Sequence, residues 1–370
     1  MIAFANYEAS KLNIDHPIFL SFAILFVIIL IALLTPRRHE KPTCILDAAQ
    51  TTQIRGLSIL LVIVGHFWVH ACQIPPIYPV ASSSVTAFLI LSGFGLSISF
   101  EKNGLRGFLT ARIKRVFLPY WIATCLWIFM DWYFLGRTYQ PRDIVLTFLG
   151  CNLTQALRHI DFVRWFVSLL LLWYFLFYVV HYLFDAARSV IVLLIFGLLL
   201  SIAALYFRVF PESSQHQLFA FPIGCFLAAC ISQVRAYLER PINRYMVFFA
   251  SISLVIFIQY VIVNFDSSSR FGYRAVNFVL MNLNPYFFFV FIALSVSIGN
   301  YYSTFLFLTG TFSYELFLLH GPFLVKYNPV FPFFEKTQLV FAFIAFVFLL
   351  LFVSYLLSLS TKRLSMFIVR

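Results

Sequence analysis

Long apolar runs alternate with short polar loops along almost the whole chain. Eleven of these runs are long enough for a helix to cross a hydrocarbon core of about 30 Å. The pattern therefore predicts an all-α fold, a polytopic transmembrane helix bundle of about eleven spans. The predicted spans are 18–35, 54–72, 82–100, 116–135, 163–184, 189–207, 217–232, 246–263, 278–298, 304–324 and 338–360.

No internal repeat, low-complexity segment or soluble domain stands out, so residues 1–370 are predicted to form a single integral-membrane domain. The seventh span contains Pro222 and Gly224, and the ninth contains Pro285. Broken helices are tolerated in a membrane where protein or a polar cavity surrounds the freed backbone groups.

Composition supports a membrane protein and changes the meaning of the charge. The chain is 62% hydrophobic and 11% charged, whereas a soluble globule has about 25% charged residues. In a soluble protein a net charge of +12 would suggest nucleic acid, but here the basic residues cluster in short loops between apolar runs. Membrane topology explains this clustering better. We therefore expect the lipid bilayer, and no nucleic acid, as a partner.

The positions of Lys and Arg predict the orientation. The first span is followed by its basic cluster, which indicates a retained span with the N-terminus outside. The 26 Lys and Arg then divide into 16 inside and 10 outside. The 70–82 loop has no Lys or Arg and lies outside, and an odd span count places the C-terminus in the cytoplasm.

The six cysteines show no metal-binding or redox pattern, because no CxxC or Cys/His spacing connects them. Most lie in or beside apolar segments, so we expect small buried hydrophobic side chains and no metal site. They are Cys44, Cys72, Cys125, Cys151, Cys225 and Cys230.

The second span contains two ionisable residues on the same face of its predicted helix. Arg55 and His66 are separated by nearly three helical turns, so they share one helix face about 16 Å apart. An ionisable group at that depth indicates function, because isolating it in lipid is costly. The arrangement suits a reagent that is anionic at one end and reactive at the other. His66 is then a general base or, alternatively, a core histidine hydrogen-bonded to a neighbouring helix.

A second group of cations lies in the predicted cytoplasmic loop EKNGLRGFLTARIKR. Arg112 and Arg115 are neighbours at i, i+3 on a helix and can contact one ligand together. With Arg55 at the same membrane face, three arginine forks would hold a polyphosphate. The alternative is a positive-inside loop in contact with lipid headgroups.

Five segments, in order, resemble acyltransferase family 3, the membrane proteins that acylate cell-surface glycans. Arg55 and His66 match the family's arginine, ten residues and histidine. The resemblance covers about residues 46–360 and implies a ten-span core, preceded in residues 1–45 by one extra span and a cytoplasmic loop. The other four segments are FLILSGFGLS (88–97), FLTARIKRVFLPY (108–120), WFVSLLLLWY (165–174) and GTFSYELFLLHGP (310–322).

The chain departs from the family pattern at two places. Many members have Glu-Glu-Gln inside the fourth segment, where this chain has Leu170, Leu171 and Leu172. In the fifth segment, Phe317 replaces the family's second tyrosine. The three leucines therefore leave the fourth segment of this chain without the carboxylates that many family members have there.

The resemblance implies an O-acyltransferase of a bacterial inner (plasma) membrane. Acyl-CoA, usually acetyl-CoA, would donate its acyl group from the cytoplasm to a hydroxyl of a lipid-linked or surface polysaccharide. Arg55, Arg112 and Arg115 would bind the donor, and His66 with Arg55 would be catalytic. Two alternatives stay open: a glycan transporter or flippase, and a succinyl or longer-chain acyltransferase of the same fold.

The fifth segment adds candidate supporting residues. Glu315 and His320 are five positions apart and do not share a helix face, whereas Ser313 and His320 are seven apart and do. Together with Tyr314, these residues contribute to the chemistry or else pack and hydrogen-bond. Trp165, at the start of the fourth segment, is a further supporting residue.

Three features lie toward the predicted outer face. His70, one turn beyond His66, is a candidate for orienting the acceptor. The 136–162 loop is either a rim for a glycan or an ordinary solvated loop. Asp131 lies near the outer end of the fourth span, where we expect interfacial solvation to account for it.

Overall fold

The computed structural model describes residues 16–36, 44–71, 80–152, 160–207, 212–264, 272–297, 302–334 and 338–367. In these ranges the chain is helical and contains no β-strand, which confirms the predicted all-α class. The helices are α1 (Pro17–Leu34), α2 (Ala48–His66), α3 (Val80–Asn103), α4 (Phe108–Arg112), α5 (Leu118–Leu135), α6 (Pro141–Phe148), α7 (Trp165–Leu183), α8 (Ala186–Phe207), α9 (Glu212–Gln215), α10 (Ala220–Ala229), α11 (Ile231–Glu239), α12 (Pro241–Asn264), α13 (Gly272–Ser297), α14 (Thr304–Thr311), α15 (Ser313–Val325) and α16 (Leu339–Phe367).

Eight helical segments in the described ranges are long and apolar enough to cross a membrane. Each coincides with one of the eleven spans predicted from the apolar runs. α10 and α11 would form a ninth span together, but they are bent by 72°. The eight segments are Ala48–His70, Val80–Asn103, Phe108–Leu135, Trp165–Leu183, Ala186–Tyr206, Pro241–Asn264, Val276–Ser297 and Leu339–Met366.

The remaining predicted spans are short or broken. The run 18–35 corresponds to a shorter apolar helix, Phe19–Leu34. The run 217–232 bends at Cys230, not at Pro222, because Pro222 lies near the start of α10, where its missing N–H is tolerated. The run 304–324 is divided into α14 and α15 at Phe312. An apolar run records composition but not helix continuity, so eight or nine of the eleven predicted spans meet the length criterion among the described residues.

Two reciprocal pairs of glycines allow α2 and α3 to pack closely against their neighbours. Gly56 of α2 faces α14, and Gly310 of α14 faces α2. Gly93 of α3 and Gly224 of α10 face each other's helices in the same way. A Cβ added at any of the four would overlap a backbone carbonyl oxygen of the opposite helix. Small residues at such contacts let helix backbones approach closely in a membrane.

Both ends of α2 have well-defined structure. The Asp47 carboxylate accepts a hydrogen bond from the Gln50 backbone N–H at 2.7 Å, and Gln50 Oε1 accepts one from the Leu46 backbone N–H at 2.9 Å. This reciprocal arrangement resembles a capping box and fixes where the helix begins. Beyond His66 the helix widens into a π-type turn, Phe67–Ala71. Such turns often occur at functional sites.

The cysteines are more exposed than the sequence indicates. Cys225 is buried and Cys230 half-buried, and Cys72 lies outside the described residues. The expectation of burial is wrong for the three others, because an apolar span also contacts lipid and its flanking loops contact water. The exposed thiols are those of Cys44, Cys125 and Cys151.

These thiols test the predicted orientation. Single-cysteine variants are expressed in cells and treated with a membrane-impermeant maleimide from outside. In intact cells the reagent should label Cys151, in the predicted outer loop. Cys44, in the predicted cytoplasmic loop, should react only after permeabilisation. Cys125, within the α5 span, is the control and should react slowly in both conditions, because lipid covers it. Labelling of Cys44 in intact cells would contradict the orientation.

Candidate active site

An open cavity of about 640 Å³ lies among α2, α3, α7, α15 and α16. All three arginines selected from the sequence, Arg55, Arg112 and Arg115, line it. They come from two different parts of the chain, so only the packing of the helices brings them together. The arginines lie at the end of the bundle that is predicted to face the cytoplasm.

Positive charge predominates in the cavity lining. Lys114 and Lys362 line it together with the three arginines, and Glu315 is its one carboxylate-bearing side chain among the described residues. No ion pair between described residues involves any of the three arginines. Because no carboxylate of the described residues pairs with these arginines, the cavity attracts a ligand with several negative charges.

Aromatic rings hold the Arg112 guanidinium. Its central carbon lies 5.4 Å from the ring centroid of Phe108 and 5.0 Å from that of Tyr174. Arg112 Nε is buried and has no hydrogen-bond partner among the described residues. A guanidinium over aromatic rings retains N–H groups for an anion. The Tyr314 hydroxyl donates to the Val116 carbonyl at 3.1 Å and so attaches the turn after Arg112 to α15.

The cavity extends from this cationic mouth toward the middle of the bundle. Phe166, Leu170 and Tyr174 line it at four-residue intervals on one face of α7. Eight residues of helix correspond to about 12 Å of depth. At the inner end, the ring centroids of Phe88 and Phe166 are 6.3 Å apart, and those of Phe166 and Phe317 are 4.7 Å apart. Three aromatic rings therefore narrow the cavity.

A pair of histidines lies behind these rings. His66 Nδ1 and His320 Nε2 are 2.8 Å apart, and the two ring planes are within 4° of parallel. His320 is fully buried, whereas His66 is only partly buried. The ring of Phe317, which lines the cavity, lies 5.5 Å from the ring of His320. Neither histidine lines the cavity, and the ring of Phe317 lies between its inner end and His320.

The hydrogen bonds of the pair determine where its protons lie when both rings are neutral. His320 Nδ1 lies 2.9 Å from the Phe317 carbonyl and 3.2 Å from the Leu316 carbonyl. A carbonyl only accepts, so His320 Nδ1 carries the hydrogen and Nε2 has the lone pair. His320 Nε2 then accepts from His66 Nδ1–H. His66 Nε2 is left with a lone pair, as a general base requires.

The residues of the fifth sequence segment are divided between the two regions. Ser313, Tyr314 and Glu315 line the cavity, whereas His320 belongs to the histidine pair. Glu315 and His320 therefore do not form a dyad. Their five-residue spacing, which places them on different helix faces, predicts this outcome. Trp165 is buried and does not line the cavity, so the structure places it in the packing of the bundle.

His70 and Phe162 lie beside the histidine pair. The ring centroid of His70 is 6.0 Å from that of His66, and the Phe162 ring lies 5.1 Å from His66 and 4.5 Å from His70. A role for His70 in orienting an acceptor stays a prediction. So does a glycan rim in the 136–162 loop, of which 153–159 fall outside the described residues.

A buried ion pair between α5 and the C-terminal end of α15 was not predicted from the sequence. The Asp131 carboxylate is fully buried and accepts from Lys326 Nζ at 2.9 Å. The hydroxyls of Tyr139 and Tyr327 also donate to it. The expectation that interfacial solvation accounts for Asp131 is therefore wrong. An acid within an apolar span was itself the signal, because such groups are normally paired inside the protein.

A second buried pair lies close to the histidines. Arg164 Nε is 3.8 Å from Asp161 Oδ2, and Arg164 Nη1 donates to Thr124 Oγ1 at 2.8 Å. Burial raises the pKa of Asp161 to about 6, although the positive charge of Arg164 opposes this rise. A Cβ added at Gly321, the neighbour of His320, would lie 2.5 Å from Asp161 Oδ1. Asp161 thus packs against the backbone that presents His320.

Fold and cavity together define an integral membrane protein built around a cation-lined cavity. A family model described as an acyltransferase domain, Acyl_transf_3, matches residues 51–361. The chain therefore belongs to acyltransferase family 3 and is a membrane acyltransferase, which disfavours the transporter alternative. Comparisons with curated proteins and with solved structures gave no match. In the described ranges no three His, Cys, Asp or Glu side chains are grouped so as to hold a metal ion.

The buried pair of Asp131 and Lys326 makes a testable contribution to stability. Lys326→Met leaves the buried carboxylate without its cation, and we expect the free energy of unfolding to fall by about 3–5 kcal/mol. Arg188→Met is the matched control, because Arg188 and Asp185 form an exposed pair. An exposed pair contributes at most about 1 kcal/mol. Denaturant unfolding of the purified variants measures both changes.

A second substitution separates the loss of the pair from the loss of side-chain packing. Asp131→Asn in the Lys326→Met background removes the uncompensated charge while keeping an oxygen that accepts from the two tyrosines. We expect it to recover part of the lost stability. Equal unfolding free energies for Lys326→Met and Arg188→Met would show that the buried charge is not the cause.

Proposed function

We propose that the protein is a membrane O-acyltransferase that moves an acetyl group from acetyl-CoA to a hydroxyl of an envelope polysaccharide. The observation that carries this proposal is the arrangement of the cavity and the groups next to it. The cations at its mouth have no carboxylate partner among the described residues, and a hydrogen-bonded histidine pair lies behind the aromatic rings of its inner end. One substrate that is polyanionic at one end and reactive at the other matches both ends. The bacterial inner membrane is the proposed location, with the mouth of the cavity in the cytoplasm.

The donor is assigned to the cavity by charge. The nucleotide end of CoA carries several phosphate charges, and arginine forks bind phosphate oxygens through paired hydrogen bonds. Arg55, Arg112 and Arg115 have no carboxylate partner among the described residues, so binding phosphate breaks no ion pair. The pantetheine arm then follows the α7 face inward and brings the thioester toward His66. CoA is a co-substrate in this scheme.

His66 is the proposed general base. Its Nε2 accepts the proton of the acceptor hydroxyl while the hydroxyl oxygen bonds to the thioester carbonyl carbon. When the carbon–sulfur bond breaks, the imidazolium returns that proton to the CoA sulfur. His320 Nε2, which accepts from His66 Nδ1–H, holds the ring in the productive tautomer and stabilises its positive charge. His320 is therefore a positioning residue in this scheme.

The acceptor is proposed to approach from the opposite side. His66 is partly exposed, and His70 and Phe162 lie beside it. Neither His70 nor Phe162 lines the donor cavity. A lipid-linked or surface glycan would then enter from the outer face. This arrangement lets the two substrates meet at His66 without sharing a path.

His66→Ala should lower acyl transfer by about a hundredfold or more, because a positioned general base contributes at least that much. His320→Ala should cause a smaller loss, since it removes only the acceptor of the His66 Nδ1–H group. His181→Ala is the matched control, because His181 is another buried histidine, bonded to the Phe177 carbonyl within its own helix. Mass spectrometry of extracted glycans measures how much acetyl group each variant has transferred. Only variants that elute as folded protein are compared. Wild-type transfer by His66→Ala would exclude the general-base role.

Alanine substitution of Arg55, Arg112 or Arg115 should weaken CoA binding by about ten- to a hundredfold, since each removes charge-assisted hydrogen bonds to phosphate. Lysine should restore only part of the affinity, because it keeps the charge and loses the fork. Titration in a neutral detergent excludes effects of anionic lipid. Arg188→Ala is the control, because Arg188 pairs with Asp185 and does not line the cavity. Unchanged affinity in all three alanine variants would move the donor site elsewhere.

A further inference from the structure

The inner end of the cavity differs chemically from its mouth. Toward the histidine pair, the lining consists of Phe88, Leu91, Phe166, Leu170 and Phe317. All of them are apolar, and all except Phe88 are buried. The five cationic side chains come from the mouth side of the cavity, on α2, α4, the turn after α4, and α16. No cation lines the inner end among the described residues.

Helix register fixes this division along the cavity. On α7, Leu170 lies one turn deeper than Tyr174, which contacts the Arg112 guanidinium. On α15, Phe317 lies about one turn deeper than Ser313 and Tyr314, and three residues before His320. One turn is about 5.4 Å of helix. Leu170 and Phe317 therefore occupy the stretch between the arginines and the histidine pair.

We propose that Leu170 and Phe317 are specificity-determining residues, forming an acyl subsite that admits uncharged acyl groups and rejects those ending in a carboxylate. This inference rests on the proposed donor site and deepens it. The acyl group is at the tip of the pantetheine arm, so it must pass Leu170 and Phe317 to reach His66. With the thioester near His66, the acyl group lies beside Phe317, whose ring is 5.5 Å from that of His320. A carboxylate placed there loses its hydration without gaining a cation, which is strongly unfavourable.

The nearby polar groups do not offset that cost. Ser92, the neighbour of Leu91 on α3, also lines the cavity at this depth, but it is uncharged and its hydroxyl can donate only one hydrogen bond. Glu315 carries a negative charge when ionised and would repel a second carboxylate. The subsite therefore distinguishes acyl-CoA donors of equal length by their terminal charge, and it disfavours a succinyl donor.

Butyryl-CoA and succinyl-CoA make a sharp comparison, because both acyl chains have four carbons and differ chiefly in the terminal carboxylate. Binding of each donor to the purified full-length protein is measured by competition with labelled CoA, alongside acetyl-CoA and free CoA. We expect acetyl-CoA and butyryl-CoA to bind about as well as CoA, and succinyl-CoA to bind about tenfold more weakly or worse. Equal affinity for butyryl-CoA and succinyl-CoA would overturn the inference.

Variants at Leu170 and Phe317 test whether these residues cause the discrimination between the two donors. Leu170→Lys supplies a cation to the subsite and should remove most of the discrimination, and Leu170→Gln should reduce it without adding charge. Leu172→Lys and Leu172→Gln are the matched controls, because Leu172 is on the same helix but does not line the cavity. Phe317→Tyr adds a hydroxyl donor at the second wall and should also reduce the discrimination. An unchanged ratio in the Leu170→Gln and Phe317→Tyr variants would contradict the assignment to these residues.

The possible outcomes distinguish failure of the acyl subsite from failure of the proposed donor site. If free CoA does not bind, the donor site itself is wrong and the subsite fails with it. If CoA binds and depends on Arg55, Arg112 and Arg115, but the terminal charge has no effect, the donor site stands and the acyl subsite alone is rejected.

Discussion

The cost of placing charge inside an apolar helix bundle shapes this protein more than any other constraint. An ion removed from water costs several kcal/mol unless a partner and further hydrogen bonds compensate it. Asp131 with Lys326, and Asp161 with Arg164, meet that requirement by pairing within the protein. The arginines of the cavity meet it differently, because they face an open volume and have no carboxylate partner among the described residues. The contrast distinguishes ions that hold the bundle together from ions available to a ligand.

The same constraint orders the histidine pair. Buried imidazole nitrogens need partners, and His320 satisfies one of its own with backbone carbonyls and the other with His66. That chain of bonds leaves a single lone pair, on His66 Nε2. Close packing allows it to form, since Gly56 and Gly310 let α2 and α14 approach each other just before α15 begins. Backbone packing and side-chain protonation are therefore connected at this site.

Several features followed from the sequence because they depend on local geometry. Apolar length predicts helices, and the shared face of Arg55 and His66 follows from helix periodicity. Helix continuity did not follow from the sequence, because Cys230 and Phe312 interrupt apolar runs without a strong compositional signal. The departures from the family pattern at Leu170 and Phe317 were visible in the sequence, but their position on the cavity wall was not.

By itself the sequence determined the all-α class, the membrane environment and the family, and it indicated the arginines that we propose bind the donor. These features are encoded in composition, period and motif, which act over a few turns of helix. Only the tertiary structure decided which distant groups meet. His66 and His320 are 254 positions apart, and Asp131 and Lys326 are 195 apart. Such pairings arise from the packing of whole helices against one another. Local sequence patterns do not specify that packing.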